Sequence, residues 1–148
     1  MTYGVKKGTT YYIRVKSSEA VSLNIKSGQI KEKSGSSKKK AVTVKRNKTV
    51  KGYIQAGSKT VDWYKFKVTK SAKTRIYLNG GTNDRFKITV YKSNGKSMGS
   101  GSVKGTPCKN TFLFKRGSKE TKLAKGTYYI KIERYNAKSS GYYTLKWK

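Results

Sequence analysis

In almost every patterned stretch of this chain the apolar side chains fall on alternate residues, and no helical period separates those stretches. A two-residue period sends successive side chains to opposite faces of an extended backbone, so it selects half-buried strands. Residues 10–16 put Tyr11, Ile13 and Val15 on one face and Tyr12, Arg14 and Lys16 on the other; residues 20–26 repeat this with Val21, Leu23 and Ile25. Further along, the inward sets are Tyr64, Phe66 and Val68; Ile76 and Leu78; Phe86, Ile88 and Val90; Tyr128, Ile130 and Ile132; and Tyr143, Leu145 and Trp147. Residues 41–44, residues 50–54 and the pair Phe112 and Phe114 add shorter strands, and Asn94-Gly95 is a strong turn signal. The stretch Gly99 to Cys108 lacks the pattern and reads as loop. Strands at this spacing, with no helices between them, predict an all-β antiparallel sandwich.

The pattern divides the chain into three parts: a β-hairpin over 1–26, a Gly/Ser/Lys linker over 27–37 and a sandwich over 38–148. The hairpin also repeats sequence from the far end. Lys7-Gly8-Thr9-Thr10-Tyr11-Tyr12-Ile13 matches Lys125-Gly126-Thr127-Tyr128-Tyr129-Ile130 with one inserted Thr, and an alternating strand follows each. Residues 1–26 therefore read as the last two strands of a preceding copy. Two strands cannot stand alone in water, so the hairpin is expected to dock on the sandwich or to add to another chain as a strand-addition dimer.

Of the 148 residues, 36 are Lys or Arg and only 6 are Asp or Glu, for a net charge of +30. Such charge favours disorder, but the evenly spaced Tyr, Val, Ile and Thr describe a charged β-domain instead. The cations are mostly Lys, which keeps sheet edges soluble but lacks the bidentate reach of Arg for bases. Non-specific attraction to polyanions at low salt is expected, with the stretch Lys38, Lys39, Lys40, Lys45, Arg46, Lys48 and Lys51 as the basic patch. The alternative is that these lysines are solvated strand faces.

Catalysis has little to work with. Without His there is no Ser-His-Asp triad, Cys-His dyad or His-ligated zinc. One Cys, Cys108, excludes an internal disulfide. The acids Glu19, Glu32, Asp62, Asp84, Glu120 and Glu133 are scattered, with no spacing that pairs two of them across a cleft. No enzyme activity is expected, no cofactor, and no membrane span, since no run approaches ~18 apolar residues.

Several segments in order resemble bacterial pre-peptidase C-terminal domains: Val50-Lys51-Gly52-Tyr53-Ile54, Asp62-Trp63-Tyr64-Lys65-Phe66-Lys67-Val68, Phe86 through Lys96, Lys125-Gly126-Thr127-Tyr128-Tyr129-Ile130, and Ser140-Gly141-Tyr142-Tyr143-Thr144-Leu145. The resemblance covers about residues 38–148 and implies a jelly-roll-like β-sandwich behind the catalytic domain of an exported protein. It implies secretion or surface display. The opening Met1-Thr2-Tyr3-Gly4-Val5-Lys6-Lys7 has no apolar signal core, so an export signal is expected upstream. Several relatives bind calcium, and the related collagen-binding domains of clostridial collagenases grip collagen with surface tyrosines. A calcium shell wants several carboxylates. The scattered acids here predict no metal site, with Asp62 in a structural role at a strand start and Asp84 fixing a turn.

The inward sets leave Trp63, Tyr77, Tyr91, Tyr129 and Tyr142 facing out, each among lysines. Such rings stack on sugars or lie against a proline-rich chain, although outward aromatics also simply suit strands. They are the candidate ligand-binding residues of a non-catalytic binding or spacer module that sits among neighbouring domains and meets an extracellular glycan or collagen-like polymer. The alternative is a ligand-free maturation or export segment of a secreted protease.

Overall fold

The computed structural model describes residues 1–148. It contains no helix. Thirteen strands follow in order: β1 Val42–Thr43, β2 Thr49–Ile54, β3 Val61–Val68, β4 Ala72–Lys73, β5 Arg75–Thr82, β6 Arg85–Lys92, β7 Ser97–Lys104, β8 Cys108–Leu113, β9 Lys115–Arg116, β10 Lys119–Glu120, β11 Lys122–Leu123, β12 Gly126–Arg134 and β13 Gly141–Trp147. A five-stranded sheet has the order β1-β3-β12-β6-β7 and a four-stranded sheet the order β2-β13-β5-β8. All pairings in these sheets are antiparallel except β1 with β3, a short parallel pair at the edge.

The two sheets close on one core. Tyr64, Phe66 and Val68 of β3, Phe86, Ile88 and Val90 of β6, and Tyr128, Ile130 and Ile132 of β12 are buried from one side. Ile54, Ile76, Leu78, Tyr143, Leu145 and Trp147 are buried from the other. Every inward set read from the alternation beyond residue 41 is in this cluster. Phe66 lies between Tyr128 and Trp147, with ring centroids 5.5 and 5.0 Å away. The Trp147 indole donates to Val44 O at 2.7 Å, which seals the β1 end of the core.

Two readings need correction. The stretch after Gly99 is not a loop, because β7 pairs with β6 from Arg85↔Lys104 to Tyr91↔Ser97. This strand is held by backbone hydrogen bonds and its inward position 101 is glycine, since a Cβ there would run into the Phe112 ring. The linker carries no regular strand and lies against the sandwich: Gly35 forms a bridge with Trp63, and Lys33 N–H donates to Lys51 O. The hairpin over 1–26 does not form either. Only Gly4 is paired, alongside Gln55, while Ile13, Val15, Val21, Leu23 and Ile25 are each at least 50% exposed. The reason lies in the topology. The counterparts of these segments, β12 and β13, pair with β3 and β6 and with β2 and β5, never with each other. The isolated segments thus have neither partner strands nor a facing sheet.

Candidate binding face

On β3, β12 and β6 the residues between the buried ones point away from the core, and the register aligns them in rows. Lys65, Tyr129 and Tyr91 form one row; Trp63, Lys131 and Thr89 form the next. The Trp63 and Tyr91 rings meet diagonally across β12, centroids 5.5 Å apart and tilted by 33°. Lys38, just before β1, reaches in with its Nζ 4.9 Å from the Tyr129 ring centre, and donates to Ser93 O at 2.8 Å. Lys131 is paired with Glu133 at 2.7 Å. Three half-buried rings therefore form a platform on one face, with ammonium groups at hand. An exposed cation over a ring is worth ~0.5–1 kcal/mol, a modest bias toward this position of Lys38.

The other two rings do not belong to this platform. Tyr77 pairs with Lys146 and Tyr142 pairs with Tyr53, both in the four-stranded sheet on the opposite side of the sandwich. Lys148 Nζ lies 5.5 Å from the Tyr77 ring centre. The basic stretch divides as well. Lys38, Lys39 and Lys40 lead into β1 at the edge of the five-stranded sheet. Lys45, Arg46 and Lys48 occupy the β1–β2 turn, where Asn47 N–H donates to Trp147 O, and Lys51 lies on β2. None of the seven is in an ion pair; the two that exist are Arg75–Glu120 and Lys131–Glu133.

Beneath the linker lies a polar cluster that the scattered acids did not foretell. Asp62, 4% exposed, accepts from Tyr143 Oη at one carboxylate oxygen and from Ser34 Oγ, 2.9 Å, at the other. Ser34 Oγ also lies 2.9 Å from Glu32 Oε1, and the Tyr143 and Tyr64 hydroxyls are 2.9 Å apart. Gly52 on β2 makes room for the two phenols, since a Cβ there would collide with the Tyr143 hydroxyl and press on that of Tyr64. A glycine inside a strand pattern is the one sequence signal for such a close approach. The set does not fit a calcium shell: two carboxylates meet, no third acid or Cys joins them, and both oxygens of Asp62 are taken by hydroxyls.

Burial raises the Asp62 carboxyl to about 7, the nearby Glu32 charge adds to the rise, and the hydrogen bonds from Tyr143 and Ser34 oppose it. The folded chain then holds a proton that the unfolded chain releases near pH 4, so stability falls as pH rises from about 4 to 7 and stays low above that. The chain has no His to confound this window. Thermal melts should be higher at pH 5 than at pH 7, by on the order of 1–2 kcal/mol. Asp62→Asn, which keeps an acceptor for Tyr143, should flatten the difference. An unchanged pH dependence in that variant would assign it elsewhere.

Asp84 holds a turn. Its Oδ2 accepts from Asn136 Nδ2 at 2.6 Å and Ser139 Oγ at 3.1 Å, tying the β5–β6 turn to the β12–β13 loop. Asn83 and Ser140 add to the clasp, with Ser140 N–H donating to Asn83 Oδ1 at 2.7 Å and Ser140 Oγ to Ile54 O at 2.9 Å. Cys108 is buried, which pushes its thiol up.

Comparison with known proteins agrees with this architecture. The crystal structure of the pre-peptidase C-terminal domain of collagenase from Bacillus anthracis is similar in fold, with a TM-score of 0.53 and 20% identity, over 73% of this chain and 94% of that one. A β-glucosidase from Paenibacillus barengoltzii matches over 71% of this chain and 11% of its own, at 14% identity and a TM-score of 0.41, too low to carry an argument. No curated protein sequence matches. The sequence model of the bacterial pre-peptidase C-terminal domain matches residues 60–134, from the start of β3 to the end of β12, just over half of the chain. The chain belongs to the bacterial pre-peptidase C-terminal domain family.

Proposed function

We propose that this domain is a non-catalytic binding module of an exported bacterial protein, and that its platform of Trp63, Tyr91 and Tyr129 meets an extracellular polymer. The observation that carries this reading is the convergence of the three rings, from three strands, on one sheet face beside Lys38 and Lys65. Aromatic side chains bring large contact area at low entropy cost, and flat rings suit sugar faces or the prolines of a collagen-like chain. Extracellular placement is supported by family membership and by the collagenase that carries the similar domain. The two carboxylates that meet, Glu32 and Asp62, are engaged by the Ser34 and Tyr143 hydroxyls, which favours a structural over a catalytic use of the pair. No helix is long and apolar enough to cross a membrane.

The test is an array of neutral glycans, acidic glycans and collagen-like peptides at physiological salt. Wild type should bind at least one class, and Trp63→Ala/Tyr91→Ala should weaken it by about tenfold or more, as expected for losing a central aromatic pair. Tyr77→Ala/Tyr142→Ala, on the opposite face, should bind as wild type. Binding by wild type to none of the array would instead favour a ligand-free maturation segment.

A further inference from the structure

We propose that residues 5–26 are the two closing strands of a second sandwich of this same fold, preceding the one described. Its other strands come from polypeptide upstream of Met1. Three observations converge. The first is the internal match of Lys7 to Ile13 with Lys125 to Ile130, followed on both sides by an alternating strand. The second is agreement at the level of faces. Tyr11, Ile13 and Val15 align with Tyr128, Ile130 and Ile132, which are all buried, and Val21, Leu23 and Ile25 align with Tyr143, Leu145 and Trp147, also all buried. The third is that these same N-terminal side chains are exposed in the present chain and form no strand.

The topology says what must cover them. In this sandwich β12 is an interior strand of one sheet, between β3 and β6, and β13 an interior strand of the other, between β2 and β5. Residues 10–16 and 20–26 thus call for neighbours on both edges and for a facing sheet. A flat patch or a single added strand does not provide these; an otherwise complete sandwich lacking its last two strands does. The connection allows the crossing. Five residues separate Val15 from Val21; extended, they reach ~17 Å, against a sheet separation of ~10 Å. The described sandwich cannot take the segment in, because both of those places are filled by its own β12 and β13.

Hydrogen exchange on the natural polypeptide, with whatever precedes Met1, tests the proposal against the 148-residue chain as baseline. In the 148-residue chain, amides of residues 11–15 and 21–25 should exchange freely. In the natural polypeptide they should all slow by about a hundredfold or more, because an interior strand has each amide bonded to the neighbour on one edge or the other. Ile13→Asp should abolish that protection, while Tyr12→Asp, on the outward face, should leave it; exchange in β12 and β13 should be unchanged in both. A natural polypeptide that begins at Met1 overturns the proposal. So does free exchange of 11–15 in the longer protein, or protection in the 148-residue chain that grows with its concentration, which would mean a second copy supplies the partners.

Discussion

Tyr143→Ala should cost the sandwich ~3–5 kcal/mol, the range for truncating a large buried aromatic. Tyr143 is fully buried on β13, edge-on to Tyr64 and Phe86 with ring centroids 6.4 and 6.1 Å away. Its hydroxyl donates to Asp62 and shares a hydrogen bond with Tyr64. Truncation therefore opens a cavity between the sheets and leaves a buried carboxyl short of a donor. Domains of this size are stable by only ~5–15 kcal/mol, so about a fifth or more of the total is at stake. Tyr143→Phe separates the two contributions. It keeps the ring and removes the hydroxyl, and should cost ~1–3 kcal/mol, the penalty for an unsatisfied buried polar group. Urea unfolding followed by circular dichroism measures both. A loss under 1 kcal/mol in the alanine variant would mean that the packing of this region is not as described.

Binding to heparin or duplex DNA should be measurable at low salt and should fall by ~10³-fold between 50 and 200 mM salt if about six phosphates or sulfates are engaged. The chain carries 36 cationic side chains against 6 acids, and only Arg75 and Lys131 are in ion pairs. Lysines on both sheets and on the β1–β2 turn offer attraction from every side, so release of counterions dominates and base sequence is not read. Fluorescence anisotropy of labelled duplexes over a salt series gives the slope directly. Preference for one DNA sequence that persists at physiological salt would promote nucleic acid from incidental partner to ligand.

The core was legible because a sheet with one buried face writes itself as strict alternation: each inward set from Tyr64 to Trp147 is buried where the period placed it. The arrangement of strands into sheets was not. Between the two main sheets the chain crosses at β1–β2, β2–β3, β3–β5, β5–β6, β7–β8, β8–β12 and β12–β13, and nothing local marks a crossing. For that reason residues 10–26 looked like a hairpin, and five outward rings that divide three and two looked like equivalent candidates. β7 was invisible because Gly101 takes an inward position and Val103 is the one buried side chain of the strand, so no alternation shows. The Glu32–Ser34–Asp62–Tyr143 cluster depends on contacts spanning as many as 81 residues, and only Gly52 hinted at it.

The two tryptophans provide the most direct test of the platform. Trp63 lies on it, while Trp147 is buried with its indole N–H committed to Val44 O. In a ¹H–¹⁵N spectrum recorded at physiological salt, adding the polymer fragment that binds best in the array should move the Trp63 indole N–H signal. The backbone amides of Lys65, Tyr91 and Tyr129 should move with it, while the Trp147 indole signal stays fixed. Shifts confined to Tyr77, Tyr142 and their neighbours on the four-stranded sheet, with Trp63 unmoved, would contradict the account.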